Sequence, residues 1–400
     1  MMVRPVPLLL ILASGTCVAA ASPPAARAQG PVAAATAKVT AAQVKTAIDR
    51  LGSIDFPVRM DAGRTVRRAE AATAVPALLE AVTGHSDWYV RFRALVLLSG
   101  FNDPRTAQTM VRMLDERNDR LRAVAYAWFE HNPDPAVLPK LLAAAEREES
   151  EFVRPALTRA LATHAADPRV RELMSGLVMK GQDLFRAVVI EALGEHRAAY
   201  ALQPIIAVSR PEGPLQDDAV LAIGRIGDKR GLAALAALQQ KAPRHLQPSI
   251  AAAICLLGSN CASHTNYLVE MVTFAVSNPG HQDLLRAAAG GLAALATAGD
   301  KQAAAILFQR GISTRDPERA AIVLALGSLA LKNAPLVLEV LEGEEDSDGA
   351  AELLREAFDM LDEDFEEERF FVTVRRAYWA APEGSPRRRI AGMLIQRLEF

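Results

Sequence analysis

Five arginines recur along this 400-residue chain at nearly constant intervals: Arg59, Arg91, Arg122, Arg154 and Arg186 are separated by 32, 31, 32 and 32 residues, and each follows an apolar residue. A fixed period of this length constrains the fold more than any local pattern, because it means that one supersecondary unit is copied in series. The register continues through Leu215-Gln216 and Ser249-Ile250, where the arginine is missing, to Leu285-Arg286 and, more loosely, to Arg319 after Glu318. Nine copies thus span Arg59 to Gly327.

Each copy reads as two helices. Leu184 to Gly194 places apolar residues at helical spacing and is followed by a second such segment, Tyr200 to Val208. Asp103-Pro104, Asp134-Pro135 and Asp167-Pro168 put a capping carboxylate before a proline at the first helical position, and so mark the turns between helices. The chain is 50% hydrophobic but only 5% aromatic, a composition that suits closely packed helices better than sheets. Helix pairs of ~12 residues per helix cannot bury their apolar stripes alone, so neighbours must stack into one continuous core with capped ends. The expected N-cap is Thr40 to Leu51. Beyond Gly349 the period stops, and helices are expected at Ala350 to Leu361, Phe365 to Trp379 and Pro386 to Leu398.

The stretches Phe185 to Gly194 and Gly224-Arg225-Ile226-Gly227-Asp228-Lys229-Arg230-Gly231-Leu232 resemble the HEAT repeat family, in particular its short bacterial form of the phycobilisome-lyase type. The likeness runs from about Val58 to Gly343. It implies an all-α fold, an α-solenoid of about nine HEAT-type helix pairs with helical N- and C-terminal caps, whose concave side acts as a protein-binding scaffold. On this reading residues 40–343 are the solenoid and 344–400 an acidic loop with a C-terminal helical cap.

The N-terminus carries Arg4, an apolar run from Val6 to Ala13, and small residues at Ala19-Ala20-Ala21 and Ala26-Arg27-Ala28, the pattern of a secretory signal peptide over residues 1–28. An Ala/Pro-rich tether at 29–39 follows. A lipid anchor on Cys17 is the weaker reading, because Thr16 stands where Gly or Ala is wanted. The chain is therefore expected to be exported, periplasmic or extracellular, with no transmembrane segment. Its two other cysteines, Cys255 and Cys261, are candidates for a disulfide across a turn that Gly258 allows, with a Cys255 buried in the core and an exposed, free Cys261 as the alternative.

Candidate chemistry is sparse. The arginines at 59, 91, 122, 154, 186, 286 and 319 could form a stripe for an acidic ligand but are read as structural, each placed to hydrogen-bond an Asp or a carbonyl of the neighbouring repeat. His131, His164 and His196 lie 33 and 32 residues apart at equivalent turns. Stacked helices ~8–10 Å apart do not bring such a ladder to one ion, so no metal is expected there. The HEAT-like deoxyhypusine hydroxylases hold iron with His-Glu pairs, and Glu130-His131 and Glu195-His196 run in the opposite order. Glu344, Asp346 and Asp348 imitate half of an EF-hand loop, but Arg355 stands where the closing Glu belongs. Net charge is −2, with fourteen acidic residues in 342–368 against Arg355, a distribution too diffuse for nucleic-acid binding. No nucleophile elbow, phosphate loop or zinc-protease motif is present. The expectation is a non-catalytic scaffold without cofactors that binds a protein partner, with Trp88 and Trp128 as candidate contacts. A lyase-type enzyme with a site on the concave face is the alternative.

Overall fold

The computed structural model describes residues 38–361 and 363–400, so the expected signal peptide, Cys17 and most of the tether lie outside the described residues. Val39–Phe400 forms one unit. It begins with α1 (Ala41–Arg50), whose start is set by Thr40. The Thr40 hydroxyl accepts from the Gln43 backbone N–H at 3.3 Å while the Gln43 side chain accepts from the Thr40 N–H at 2.8 Å, a reciprocal capping box.

Nine helix pairs follow among the described residues. They are α2 (Phe56–Arg68) with α3 (Ala71–Gly84), α4 (Trp88–Ser99) with α5 (Pro104–Met113), and α6 (Asp119–His131) with α7 (Leu138–Arg147). Next come α8 (Arg154–Ala162) with α9 (Pro168–Leu177), α10 (Asp183–Glu195) with α11 (Leu202–Ser209), and α12 (Gln216–Ile226) with α13 (Gly231–Gln239). The last three are α14 (Gln247–Leu256) with α15 (Cys261–Ser277), α16 (Gln282–Thr297) with α17 (Lys301–Ser313), and α18 (Glu318–Lys332) with α19 (Ala334–Leu341). The Asp-Pro turns behave as their chemistry requires. Asp103 and Asp167 accept from the backbone N–H two residues on, at 2.9 and 2.8 Å, with proline at the next position. The chain is an all-α solenoid with no strand among the described residues.

Successive first helices, α4 through α18, pack directly on one another and form an inner layer; the second helices lie on its other side. Small residues make this stacking close. A Cβ on Gly194 would sit 3.0 Å from Ala222 Cα, one on Gly224 2.6 Å from Ala253 Cα, and one on Gly327 2.9 Å from Ala357 Cβ. These are the glycines that end the Ala-Leu-Gly, Ala-Ile-Gly and Ala-Leu-Gly stretches of α10, α12 and α18. Their missing side chains let the inner helices approach one another at the same level in each repeat.

Three helices complete the chain: α20 (Ser347–Leu361), α21 (Asp364–Ala380) and α22 (Pro386–Arg397). α20 continues the inner layer on α18. α21 instead returns to the first repeats. Phe365 packs into the N-terminal half of the core, and Gly100 at the end of α4 makes room for Glu368 and Val372, since a Cβ there would lie 2.8 Å from Glu368 Oε1. A stack in which each pair touches only its neighbours, with its concave side left open, is therefore not what forms. The inner face over α2, α4 and α6 is covered by the chain's own C-terminal segment.

Candidate functional site

Two features stand apart from the packed core: a charged seam on the inner face and an exposed apolar row along one edge.

The seam forms where α21 and the end of α18 meet the inner helices. Arg67 on α2 donates to Glu368 at 2.7 Å, with both side chains at most 5% exposed, and Arg375 donates to the same carboxylate at 3.2 Å. Arg93 on α4 pairs with Asp364. At the C-terminal end of α6, His131 Nε2 lies 2.9 Å from Glu366 Oε1, and Arg369 donates to the other Glu366 oxygen. Beside it Arg159 on α8 donates to Glu130 Oε2 at 3.2 Å, and His196 Nε2 approaches Glu130 Oε1 to 3.6 Å. Lys332, the last residue of α18, reaches Glu191 at 2.7 Å and also pairs with Glu195.

These groups perturb one another. Burial pushes the Glu366 carboxyl up, but the His131 contact and Arg369 prevail and hold it at about 2. Lys332 likewise holds Glu191 at about 2 against the effect of burial. Asp218 on α12 moves the other way: burial together with the negative Glu191 and Asp217 outweighs the nearby Arg225 and raises it to about 6.

The second feature follows the repeat. Phe56, Trp88, Arg120, Phe152 and Leu184 are spaced by 32 residues; four stand in the first turns of α2, α4, α6 and α10, and Phe152 lies in the turn just before α8. The apolar members are exposed, from 48% for Trp88 to 81% for Leu184, and Ile54 extends the row at 98%. Arg120 does not interrupt it: its guanidinium stacks 3.6 Å above the Phe152 ring. This row was missed in the sequence, although the period that located the arginines, read two or three residues earlier, carries it.

The arginine ladder sits just inside this row. Arg59 donates to the Ser53 and Ile54 carbonyls at 2.7 and 2.9 Å, and Arg91 donates to Val82 O at 2.8 Å and to Glu116. Arg122 grips Glu148 through two bonds of 2.9 and 2.8 Å, Arg186 donates to Val178 O at 2.9 Å, and Arg319 grips Glu356 at 2.9 and 2.7 Å. Arg154 lies 4.0 Å over the Phe185 ring, and Arg286 donates to Asp283 on its own helix.

Of the other sequence candidates, Trp88 is in the exposed row, whereas Trp128 is partly buried against the core, edge-on to Phe129. His131 and His196 both face Glu130, and His164 is buried near Asp134 and Asp167. Cys255 and Cys261 are disulfide-bonded, with Cα atoms 4.3 Å apart across a turn in which Gly258 is left-handed. Glu344, Asp346 and Asp348 do not converge: Asp346 caps α20 through the Gly349 N–H at 2.8 Å, and Asp348 pairs with Arg397. Among the described residues no single helix is long and apolar enough to cross a membrane.

Residues 44–128 match the family model for HEAT repeats. Among solved structures, the E. coli protein YibA is similar at 16% identity, over 54% of this chain and 81% of its own, with a TM-score of 0.41. Importin beta is similar at 12% identity, over 89% of this chain and 57% of its own, with a TM-score of 0.39. The CpcE–CpcF complex of phycocyanin lyase from a Nostoc species shares 16% identity over 78% of this chain and 94% of its own, with a TM-score of 0.26. No curated protein sequence matches the chain.

Proposed function

We propose that this chain, whose residues 44–128 match the family model for HEAT repeats, is an exported scaffold that binds a protein partner along the edge formed by Ile54, Phe56, Trp88, Phe152 and Leu184. The observation that carries this reading is the repetition of exposed large apolar side chains at one position of successive repeats. Scattered apolar residues on a surface need no explanation, but an ordered row of them marks an interaction site. Tryptophan and phenylalanine are suited to anchoring such contacts, because they bury large area with few rotatable bonds. The inner face is the weaker candidate between α2 and α6, where α21 already lies on it.

Export is supported by Arg4 with the apolar run Val6 to Ala13, and by the pairing of Cys255 with Cys261, which suits an oxidising compartment. The periplasm or the cell exterior is the proposed location.

The test is a pull-down from an extract of that compartment with wild-type protein and with a Trp88→Ala/Phe152→Ala/Leu184→Ala variant. A stoichiometric protein held by the wild type and lost by the variant supports the edge. Retention by the variant, or turnover of a small molecule by the purified protein in place of a partner, contradicts it.

A further inference from the structure

We propose that Glu130, His131, Glu366 and His196 form a binding site for a divalent transition-metal ion of the zinc class, which ties α21 to the inner helices.

One ligand atom each from Glu130, His131 and Glu366 lies within 4.8 Å of the other two. Each carboxylate is held by an arginine on one oxygen and offers the other to an imidazole. Arg159 takes Glu130 Oε2 and leaves Oε1 toward His196; Arg369 takes Glu366 Oε2 and leaves Oε1 toward His131. That division of labour is what orients carboxylate ligands in metal sites, where outer hydrogen bonds fix the first ligands. His196 supplies an independent sign: its Nε2 is buried and has no hydrogen-bond partner, 3.6 Å from Glu130 Oε1. In a tetrahedral site with bonds of about 2.0–2.1 Å, neighbouring ligand atoms stand roughly 3.3–3.4 Å apart. The His131–Glu366 contact of 2.9 Å and the His196–Glu130 contact of 3.6 Å lie near that value, while the atoms that already stand within 4.8 Å of one another are those of Glu130, His131 and Glu366, so that His196 has to swing in to complete the set. With His196 drawn in, two imidazoles and two carboxylates make a ligand set of borderline softness that favours zinc over calcium or magnesium.

The site is not a ladder of His131, His164 and His196 converging on one ion. Equivalent turns of stacked repeats keep such a ladder spread out, and His164 stays apart near Asp134 and Asp167. The site is instead completed by Glu366, which arrives from α21, 235 residues beyond His131. Its failure would leave the edge-binding proposal untouched, because the two share no residue.

The test uses the full processed chain, stripped with a chelator and titrated calorimetrically with zinc, and with cobalt(II) as an absorbance probe. The expected result is one ion per chain, a visible cobalt spectrum of tetrahedral intensity, and affinity weakened by at least ~10-fold in Glu366→Gln and in His131→Ala. His196→Ala is expected to weaken binding while keeping one equivalent. Should Glu366→Gln loosen α21, His131→Ala still decides the matter, because the Arg67–Glu368 contact that seats the helix remains. Absence of binding at micromolar zinc, or binding unchanged in both Glu366→Gln and His131→Ala, overturns the proposal.

Discussion

Arg67 Nε donates to Glu368 Oε2 at 2.7 Å across 301 residues of sequence, and the carboxylate is 1% exposed. The contact joins the first inner helix to the last long one, and Arg375 shares the same carboxylate. Removing one member of a buried pair leaves the other charge uncompensated, at a cost of about 3–5 kcal/mol. Glu368→Gln is therefore expected to lower the denaturation midpoint and to speed amide exchange in α21. Arg67→Met and Arg375→Met combined with Glu368→Leu should recover much of that loss, because apolar side chains of similar volume then replace all three charges of the cluster.

Asp218 makes a pH-dependent prediction. Its folded pKa of about 6 lies above the ordinary carboxylate value, so the folded state holds the proton more tightly than the unfolded chain. Its contribution is neutral below about pH 4 and becomes destabilising as pH rises through 6. Asp218→Asn should accordingly raise stability by about 2 kcal/mol at pH 7, allowing for its partial exposure, and change little at pH 4. Denaturant melts at the two pH values give the comparison; an equal effect at both would argue against the assignment.

The glycines of the inner layer can be separated by substitution. Gly224→Ala forces a Cβ to within 2.6 Å of Ala253 Cα and should destabilise by about 1–3 kcal/mol through overpacking. Gly290→Ala, in the interior of α16 with nothing within 4 Å of the new Cβ, should be neutral or stabilising by up to about 1 kcal/mol. Thermal melts that rank the two the other way would contradict the close-approach account.

Much of the fold was legible because its signals are local. The 32-residue spacing of the arginines, the Asp-Pro caps and the apolar periodicity beyond Gly349 located the nine pairs and the three C-terminal helices; α20, α21 and α22 begin within three residues of their expected starts. The return of α21 was not legible. Glu366 and Glu368 read as part of an acidic run, and nothing near them in sequence names His131 or Arg67 as partners. A period reports what each repeat does to the next, whereas these contacts join residues more than 230 positions apart. Trp128 shows the same limit on a smaller scale: its side chain is turned toward the core, which composition does not reveal.

Cys255 and Cys261 offer a chemical check. In the chain-entropy picture a loop this short stabilises by only ~2 kcal/mol, so reduction should shift the melt slightly and leave the helix content intact. Thiol titration of denatured, non-reduced protein from the native compartment should find no free thiol in the processed chain. Two free thiols would show that the bond does not form there.

The account turns on where a partner docks: at the exposed edge, with the covered inner face left to α21. Photo-crosslinking in the native host measures this directly, with a photoreactive amino acid placed at Trp88 or Leu184 on the edge and at Val372 on the inner face of α21. The account predicts adducts to a common protein from both edge positions and, from Val372, only cross-links within the chain. Adducts to another protein from Val372, with none from Trp88 or Leu184, would contradict it.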